Sequence, residues 1–389
     1  MGDGMAVRRR TVLGGLLAGA GVLATAGCIA DTAADTGSDT KTGQPGARSE
    51  AGKANRPDKI TLVATGDVLL HERLWTTAKR DGDDGAWDFA PLMSSVKPLV
   101  QQADLAIAHL ETPLGPRGGP YHGYPLFQGP PQIATALKQT GYGVCTTASN
   151  HSFDGGATGV DRTLDTLEKA GLRHAGTARS RSEAETPTIV DVNGVKIASL
   201  SYTFGFNGLP YPNGQTWRAG KLDAATIIRN AQEARDQGAE IVVVSCHWGT
   251  EYSSRLNDQQ RELAPQLLAD SNIDLVVGHH AHVVQPMEQI NGKWVAYGLG
   301  NLVAAHREPI STKAEGLLVR FTFTRDRDRW KTEQAEYTPL LMTDALPVRV
   351  LDVRRELAKA DTSKKSRLEL AQRRTTETVK ALGASPKML

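Results

Sequence analysis

At 389 residues, 40% of them hydrophobic, the chain can bury one large core or two smaller ones, which excludes a disordered or fibrous protein. Its 45 basic and 43 acidic residues leave a formal charge of only +2, and no Lys/Arg-rich stripe runs through its apolar segments. Nucleic acid is excluded as a partner on that ground.

The N-terminus, RRRTVLGGLLAGAGVLATAGC, passes from basic residues into an uncharged run of small and apolar residues ending at Cys28. Residues 1–28 read as an export signal and stand outside the fold. Arg9-Arg10 before Thr11-Val12-Leu13 resembles a twin-arginine signal, and Thr25-Ala26-Gly27-Cys28 resembles a lipobox with Thr25 in the usual place of Leu. Cys28 would then carry the lipid; the alternative is an uncleaved anchor, for which a Gly/Ala-rich run is a weak spanning helix. Residues 29–59 hold almost no large apolar side chain and read as a disordered tether. The expected location is the extracytoplasmic face of the cell membrane, through a lipid anchor.

From residue 60 to 345, strand-like runs alternate with amphipathic stretches. ITLVAT, LAIAHL, GVCTTAS, IVVVSCH and IDLVVGH read as strands, with helices over 90–102, 131–140, 160–170, 224–237 and 258–270. The pairs TIVDV-NG-VKIASL and MEQI-NG-KWVAY read as hairpins, because Asn-Gly suits a type I′ turn. GLLVRFTF and WKTEQAEYTPLLM add further strands, and residues 346–389 form a charged, peripheral helical tail. Hairpins added to parallel units indicate an α/β fold with mixed sheets or a two-sheet sandwich. Cys145 and Cys246, both near the ends of apolar runs, are expected as two buried thiols rather than a disulfide.

Five apolar runs end in residues that bind metals or move protons: Asp67; His109 and Glu111; Asn150 and His151; His247; and His279, His280 and His282. Taken singly, Asp67 suits a turn and helix N-cap, Glu111 an ion pair, Asn150 a turn, Asp154 the cap of the following helix, and His247 a core histidine. Five strand ends together form a constellation, since α/β sheets gather ligands at the ends of their strands. Carboxylate, amide oxygen and neutral imidazole suit one or two divalent ions such as Zn, Mn or Fe. Such ions activate water and clamp the oxygens of a phosphoryl or acyl centre, while a nearby histidine protonates the leaving group.

The ordered motifs GDVLLHERL, HLETPLG, YPLFQGPPQIATAL, ASNHSFDGG, HWGTEY, GHHAHVVQPME and YGLGNLV, over about residues 60–303, resemble the capsule-synthesis CapA family of the calcineurin-like metallophosphatase superfamily. The resemblance implies a four-layer α/β/β/α sandwich with a metal site at its strand ends. It also implies an extracytoplasmic, membrane-associated protein that helps to make or export an anionic polymer, poly-γ-glutamate, beside membrane polymer-synthesis proteins. By position, Asp67 matches the first-motif aspartate, Glu111 the bridging acid, Asn150 the amide ligand, and His247, His280 and His282 the histidine ligands. His151 matches the general acid, oriented across one helical turn by Asp154. Glu251, Tyr252 and Asn301 match positions that line the substrate site. One departure stands out: where the superfamily has Asp-x-His, Asp67 is followed by Val68 and Leu69, so one metal position lacks a histidine. His71 and His109 are near enough to substitute, but roles behind the direct ligands are expected for both, and for His279 as well. Arg73, Arg255 and Arg307 are candidate contacts for the polymer. Two readings follow: a metal-dependent hydrolase of a phosphoester, ester or γ-glutamyl amide bond, and a non-catalytic polymer-binding or assembly component.

Overall fold

The structure, a computed structural model, describes residues 56–306, 311–327 and 329–389. The export segment, Cys28, residues 29–55 of the tether and Arg307 lie outside the described residues.

The chain enters at β1 (Lys59–Val68) and continues through α1 (Glu72–Asp81), α2 (Lys97–Gln101), β2 (Leu105–Leu110), α3 (Gln132–Thr140), β3 (Val144–Thr146), α4 (Gly156–Lys169) and β4 (Arg173–Ala175). Next come α5 (Arg181–Ala184), β5 (Thr188–Val192), β6 (Val195–Thr203), α6 (Ala224–Asp236), β7 (Ile241–His247), α7 (Asp258–Ala269) and β8 (Leu275–His279). The short strands β9 (Met287–Ile290), β10 (Lys293–Ala296) and β11 (Asn301–Val303) precede two long ones, β12 (Glu315–Asp326) and β13 (Arg329–Met342). Last are β14 (Val350–Asp352), α8 (Val353–Leu357), α9 (Thr362–Val379) and β15 (Lys387–Met388).

One sheet runs β14-β13-β12-β1-β2-β3-β4, with β11 also on β1 and β15 on β13; the other runs β5-β6-β7-β8-β10-β9. Both are mixed: β1 to β4 and β6-β7-β8-β10 are parallel, with antiparallel strands outside them.

Strand alternation sets the layers. In β1, Leu62 and Ala64 pack with Ile197, Val243 and Val277 of the other sheet, whereas Val63 turns to Leu74, Ile133 and Leu164 of α1, α3 and α4. In β7, Val243 faces the opposite sheet while Val242 and Val244 meet Ile227 of α6 and Leu267 of α7. Two sheets face to face, each backed by helices, make the α/β/β/α sandwich that the motifs imply. Each fully buried Val, Leu or Ile side chain stabilises it by roughly 1.5–3 kcal/mol.

Both Asn-Gly hairpins form, with Asn193 and Gly194 at φ 54° and 81° and Asn291 and Gly292 at 52° and 78°. Positive φ at both central residues is what a type I′ turn requires. Cys145 and Cys246 are free and buried, and burial pushes the Cys145 thiol up to about 12.

The structure corrects three expectations. The single helix expected over 90–102 is a 3-10 turn at Ala90–Met93 followed by α2, because Pro91 and Pro98 each lack an N–H and fit only a first turn. Helix α4 begins at Gly156, four residues ahead of the expected 160. The C-terminal segment is helical but not merely peripheral: β14 and β15 pair with β13, Leu368 and Ala371 pack on Leu341, and Val379 joins the core between the sheets. Among the described residues, no helix is long and apolar enough to cross a membrane.

Candidate metal centre

Strand register assembles the centre before any loop is considered. In the first sheet Asn301, Asp67, His109 and Thr146 are successive Cα partners across β11, β1, β2 and β3. Across β6, β7 and β8 of the second sheet, Thr203, His247 and His279 are partners in the same way. The turns after β2, β3 and β8 bring Glu111, Asn150 and the pair His280 and His282 to these rows, and all are buried. Two glycines let the strands approach the segment that crosses between the sheets. A Cβ on Gly278 would lie 1.9 Å from the Tyr297 carbonyl oxygen, and one on Gly66 would lie 2.0 Å from that of Gly300. His280 and His282 are held at φ 88° and 55°, a left-handed backbone that costs a non-glycine residue about 1–3 kcal/mol.

Two hydrogen-bond sets assign the ring protons. His282 Nδ1 lies 3.2 Å from Asp67 Oδ2 and 3.0 Å from Asn301 Oδ1. Both neighbours accept, so Nδ1 carries a proton, and Nε2 lies 3.6 Å from Glu111 Oε1. Thr146 Oγ1 donates to the Ala108 carbonyl (3.3 Å) and so accepts from His109 Nδ1 at 2.9 Å. His109 Nε2 therefore accepts from His247 Nδ1 at 3.0 Å, which leaves His247 Nε2 with a lone pair. That lone pair faces Asn150 Oδ1 at 2.8 Å, while the Asn150 amide nitrogen is engaged with Asn207 Oδ1 at 3.2 Å. Two acceptors in contact are reconciled by a cation between them.

Burial holds His109 and His247 well below the usual imidazole range, and burial with the charge of His282 lowers His280 to about 3. These rings are neutral, the form that ligates. Burial also raises Glu111 to about 7. His282 is held up at about 10: burial opposes its charge, but the Glu111 and Asp67 carboxylates outweigh burial.

The donor set fits divalent ions. Asp67 Oδ1, both Glu111 oxygens, both His279 nitrogens and His280 Nδ1 are buried without a hydrogen-bond partner. Each such orphan costs about 1–3 kcal/mol, and coordination would satisfy the carboxylate oxygens and one nitrogen of each ring. The acid and histidine side chains here fall into two groups, Asp67 with His109 and His279, and Glu111 with His280 and His282, consistent with a binuclear site. His279 was expected to stand outside the ligands, yet its Nδ1 lies 3.2 Å from Asp67 Oδ1 and it is the ring in that group without hydrogen bonds. His109 is different: both its nitrogens are engaged, so it orients His247, as expected of it.

Beside these groups, Asp154 Oδ2 accepts the Phe127 N–H at 2.8 Å and holds His151 Nδ1 at 2.7 Å. Burial lowers the His151 pKa, but the bond to Asp154 and the Glu111 charge outweigh it, and the net shift is upward. Two local expectations are overturned here. Asp154 is not a helix cap, since α4 is preceded by Gly155 with no side-chain cap bond, and the three-residue spacing is spanned by a turn, not a helical one. Asp67 is not an N-cap either: it lies inside β1, and α1 is preceded by His71.

A family model described as "Bacterial capsule synthesis protein PGA_cap" matches residues 61–306. The chain belongs to this family. It is 28% identical to the "PGA biosynthesis protein CapA" of Bacillus subtilis over 317 residues, 77% of this chain and 78% of that protein. It is 25% identical over 258 residues to the "Capsule biosynthesis protein CapA" of Bacillus anthracis, covering 64% of this chain and 61% of that one. The fold is similar to that of the calcineurin-like phosphoesterase YfkN from Bacillus subtilis, with a TM-score of 0.46 at 13% identity over 82% of this chain and 97% of that one.

At the mouth of the PGA_cap centre, Glu251 and Tyr252 are exposed, and the Tyr252 ring stands 5.9 Å from that of His282. Asn301, expected to line the substrate site, is instead 1% exposed and clamps His282: its Oδ1 faces Nδ1 and its amide donates to the His282 carbonyl at 3.2 Å. His71 accepts the Ala305 N–H on Nδ1 and its ring packs on His306, so it is not a ligand by that nitrogen. Phe204, 4.6 Å from the His280 ring, and Phe127, edge-on to His151 at 4.9 Å, were not singled out in the sequence, where nothing distinguishes them from core aromatics.

A third acid and histidine group, Glu168, His174 and Glu183, lines a cavity of about 710 Å³ elsewhere in the fold. Arg179 bonds both of its carboxylates, so a cation is already supplied there.

Proposed function

We propose that this PGA_cap protein is a metal-dependent hydrolase in poly-γ-glutamate capsule synthesis, acting on a phosphoester, ester or γ-glutamyl amide bond. The observation that carries the reading is the contact of His247 Nε2 with Asn150 Oδ1, two acceptors 2.8 Å apart in a buried site that also holds unpartnered Asp67, Glu111, His279 and His280 atoms. Asp67, Glu111, Asn150, His247, His279, His280 and His282 would hold one or two ions, with Mn, Fe and Zn all suited to the donors. Ions bound there supply Lewis-acid polarisation of the scissile group and activation of water. The chain's own part is to place a proton. Asp154 fixes His151 through Nδ1, and the raised pKa of His151 keeps a proton available for a leaving group.

For location, the N-terminal sequence supports export by the twin-arginine route, lipidation at Cys28 and a tether holding the catalytic fold close to the membrane, beside membrane proteins that make the polymer. The names of the Bacillus relatives support the link to capsule and to PGA biosynthesis.

The test measures bound metal in purified protein and turnover on phosphodiester, phosphomonoester and γ-glutamyl substrates, repeated with His247→Ala and Glu111→Ala. Both substitutions are expected to weaken metal binding at least about tenfold and to bring turnover to background. Turnover unchanged in both would sink the enzyme reading. Bound metal without turnover, together with polyglutamate binding, would favour the assembly role instead.

A further inference from the structure

We propose that Lys313 is the receptor for an oxyanion of the substrate, a carboxylate or phosphoryl oxygen, at the mouth of the metal centre. This deepens the reading of the centre given above and rests on it for the word substrate.

Lys313 is 8% exposed, and a desolvated ammonium normally demands a counter-charge. None of the described carboxylates forms an ion pair with it. The acid nearest in sequence, Glu315, is engaged by Arg367 and Arg374. What Lys313 has instead is a platform: Nζ lies 3.6 Å from the centroid of the Tyr252 ring. A ring face steadies a cation but leaves its N–H donors open to an anion.

The platform is built at a cost to the backbone. Tyr252 sits at φ 65°, pinned by its N–H to the Ala281 carbonyl at 2.7 Å, and 44% of the residue is exposed at the mouth. The lysine is also tied to the ligand set. Its carbonyl accepts from the Asn301 amide at 3.0 Å, and the oxygen of that amide faces His282 Nδ1. The residue that orients a metal ligand therefore also fixes the lysine, so their separation is set by the fold. A positive group held one residue beyond the ligands, with no ion-pair partner among the described residues, is a recognition element for a substrate that carries a second negative group.

The experiment titrates purified full chain, with its metal content measured, against inorganic phosphate and against glutarate by calorimetry. Lys313→Met and Lys313→Gln should bind the preferred probe at least about tenfold more weakly than the unaltered chain, and Lys313→Arg should stay within about threefold of it. Metal content should be the same in all four proteins. Preference for glutarate assigns a carboxylate, and preference for phosphate a phosphoryl group. The proposal is overturned if folded Lys313→Met and Lys313→Gln bind as the unaltered chain does. It is also overturned if the unaltered chain binds neither probe at about 10 mM. Absence of metal from every protein would instead defeat the metal reading, while the comparison among Lys313 variants would still decide the anion site.

Discussion

Asp154 shows how one side chain can be misread and then explained. By itself an aspartate ahead of a helix is an N-cap, but here both of its contacts run away from α4, to the Phe127 N–H and to His151. Its work is to fix one ring. Asp154→Asn keeps an acceptor for Phe127 and removes the charge that holds the His151 proton. Turnover should fall by about 10²-fold with metal content and melting temperature close to the unaltered protein, as checked by steady-state kinetics beside metal analysis. An unchanged rate would remove His151 and Asp154 from the chemistry. His279 is the converse case: two buried nitrogens without hydrogen bonds make it a candidate ligand, although the His-x-His spacing selected its neighbours.

The elements that carry the ligands are short parallel strands, and their position depends on close approach. Strand β8 runs beneath the Tyr297 to Gly300 segment, where Gly278 leaves room for the Tyr297 carbonyl and for the Trp248 indole. Neither obstacle is a flexible side-chain end. Gly278→Ala should therefore destabilise the protein by about 1–3 kcal/mol through overpacking. It should also lower metal occupancy, because the strain falls on the strand that ends at His279. Chemical denaturation and metal analysis read the two effects, and a variant with full occupancy and stability would refute the packing argument. The Asn-Gly hairpins carry no such burden; they form the two edges of the second sheet and were legible from two residues apiece.

Across the whole molecule, the C-terminal segment is structural. Strand β13 is flanked by β14 and β15 as well as β12, and α9 sends Val379 between the sheets. A chain ending after Arg349 would lose Val353, Leu368, Ala371 and Val379 and so uncover Leu341 and the inter-sheet residues packed with Val379, such as Tyr337. At roughly 1.5–3 kcal/mol for each large apolar side chain uncovered, the truncated protein should melt well below the full chain or fail to stay soluble. Equal melting temperatures in thermal scans would show the tail to be dispensable.

Sequence alone determined the layered α/β fold, the hairpins and the family motifs, and it named most of the buried acid and histidine side chains that the fold brings together. These depend on local periodicity, turn chemistry and residue type at strand ends, all written in consecutive residues. Its errors were also local in origin. A charged segment hid the stripe of Leu368, Ala371, Thr375 and Val379 that buries α9, and two prolines were passed over in a helix-like run. Tertiary structure decided the rest: that His247 presents a bare Nε2 to Asn150, that Asn301 clamps His282 rather than lining the mouth, and that Lys313 stands buried on Tyr252. Those facts belong to contacts between residues far apart in the chain, where proton position and charge balance are fixed only after two sheets have met.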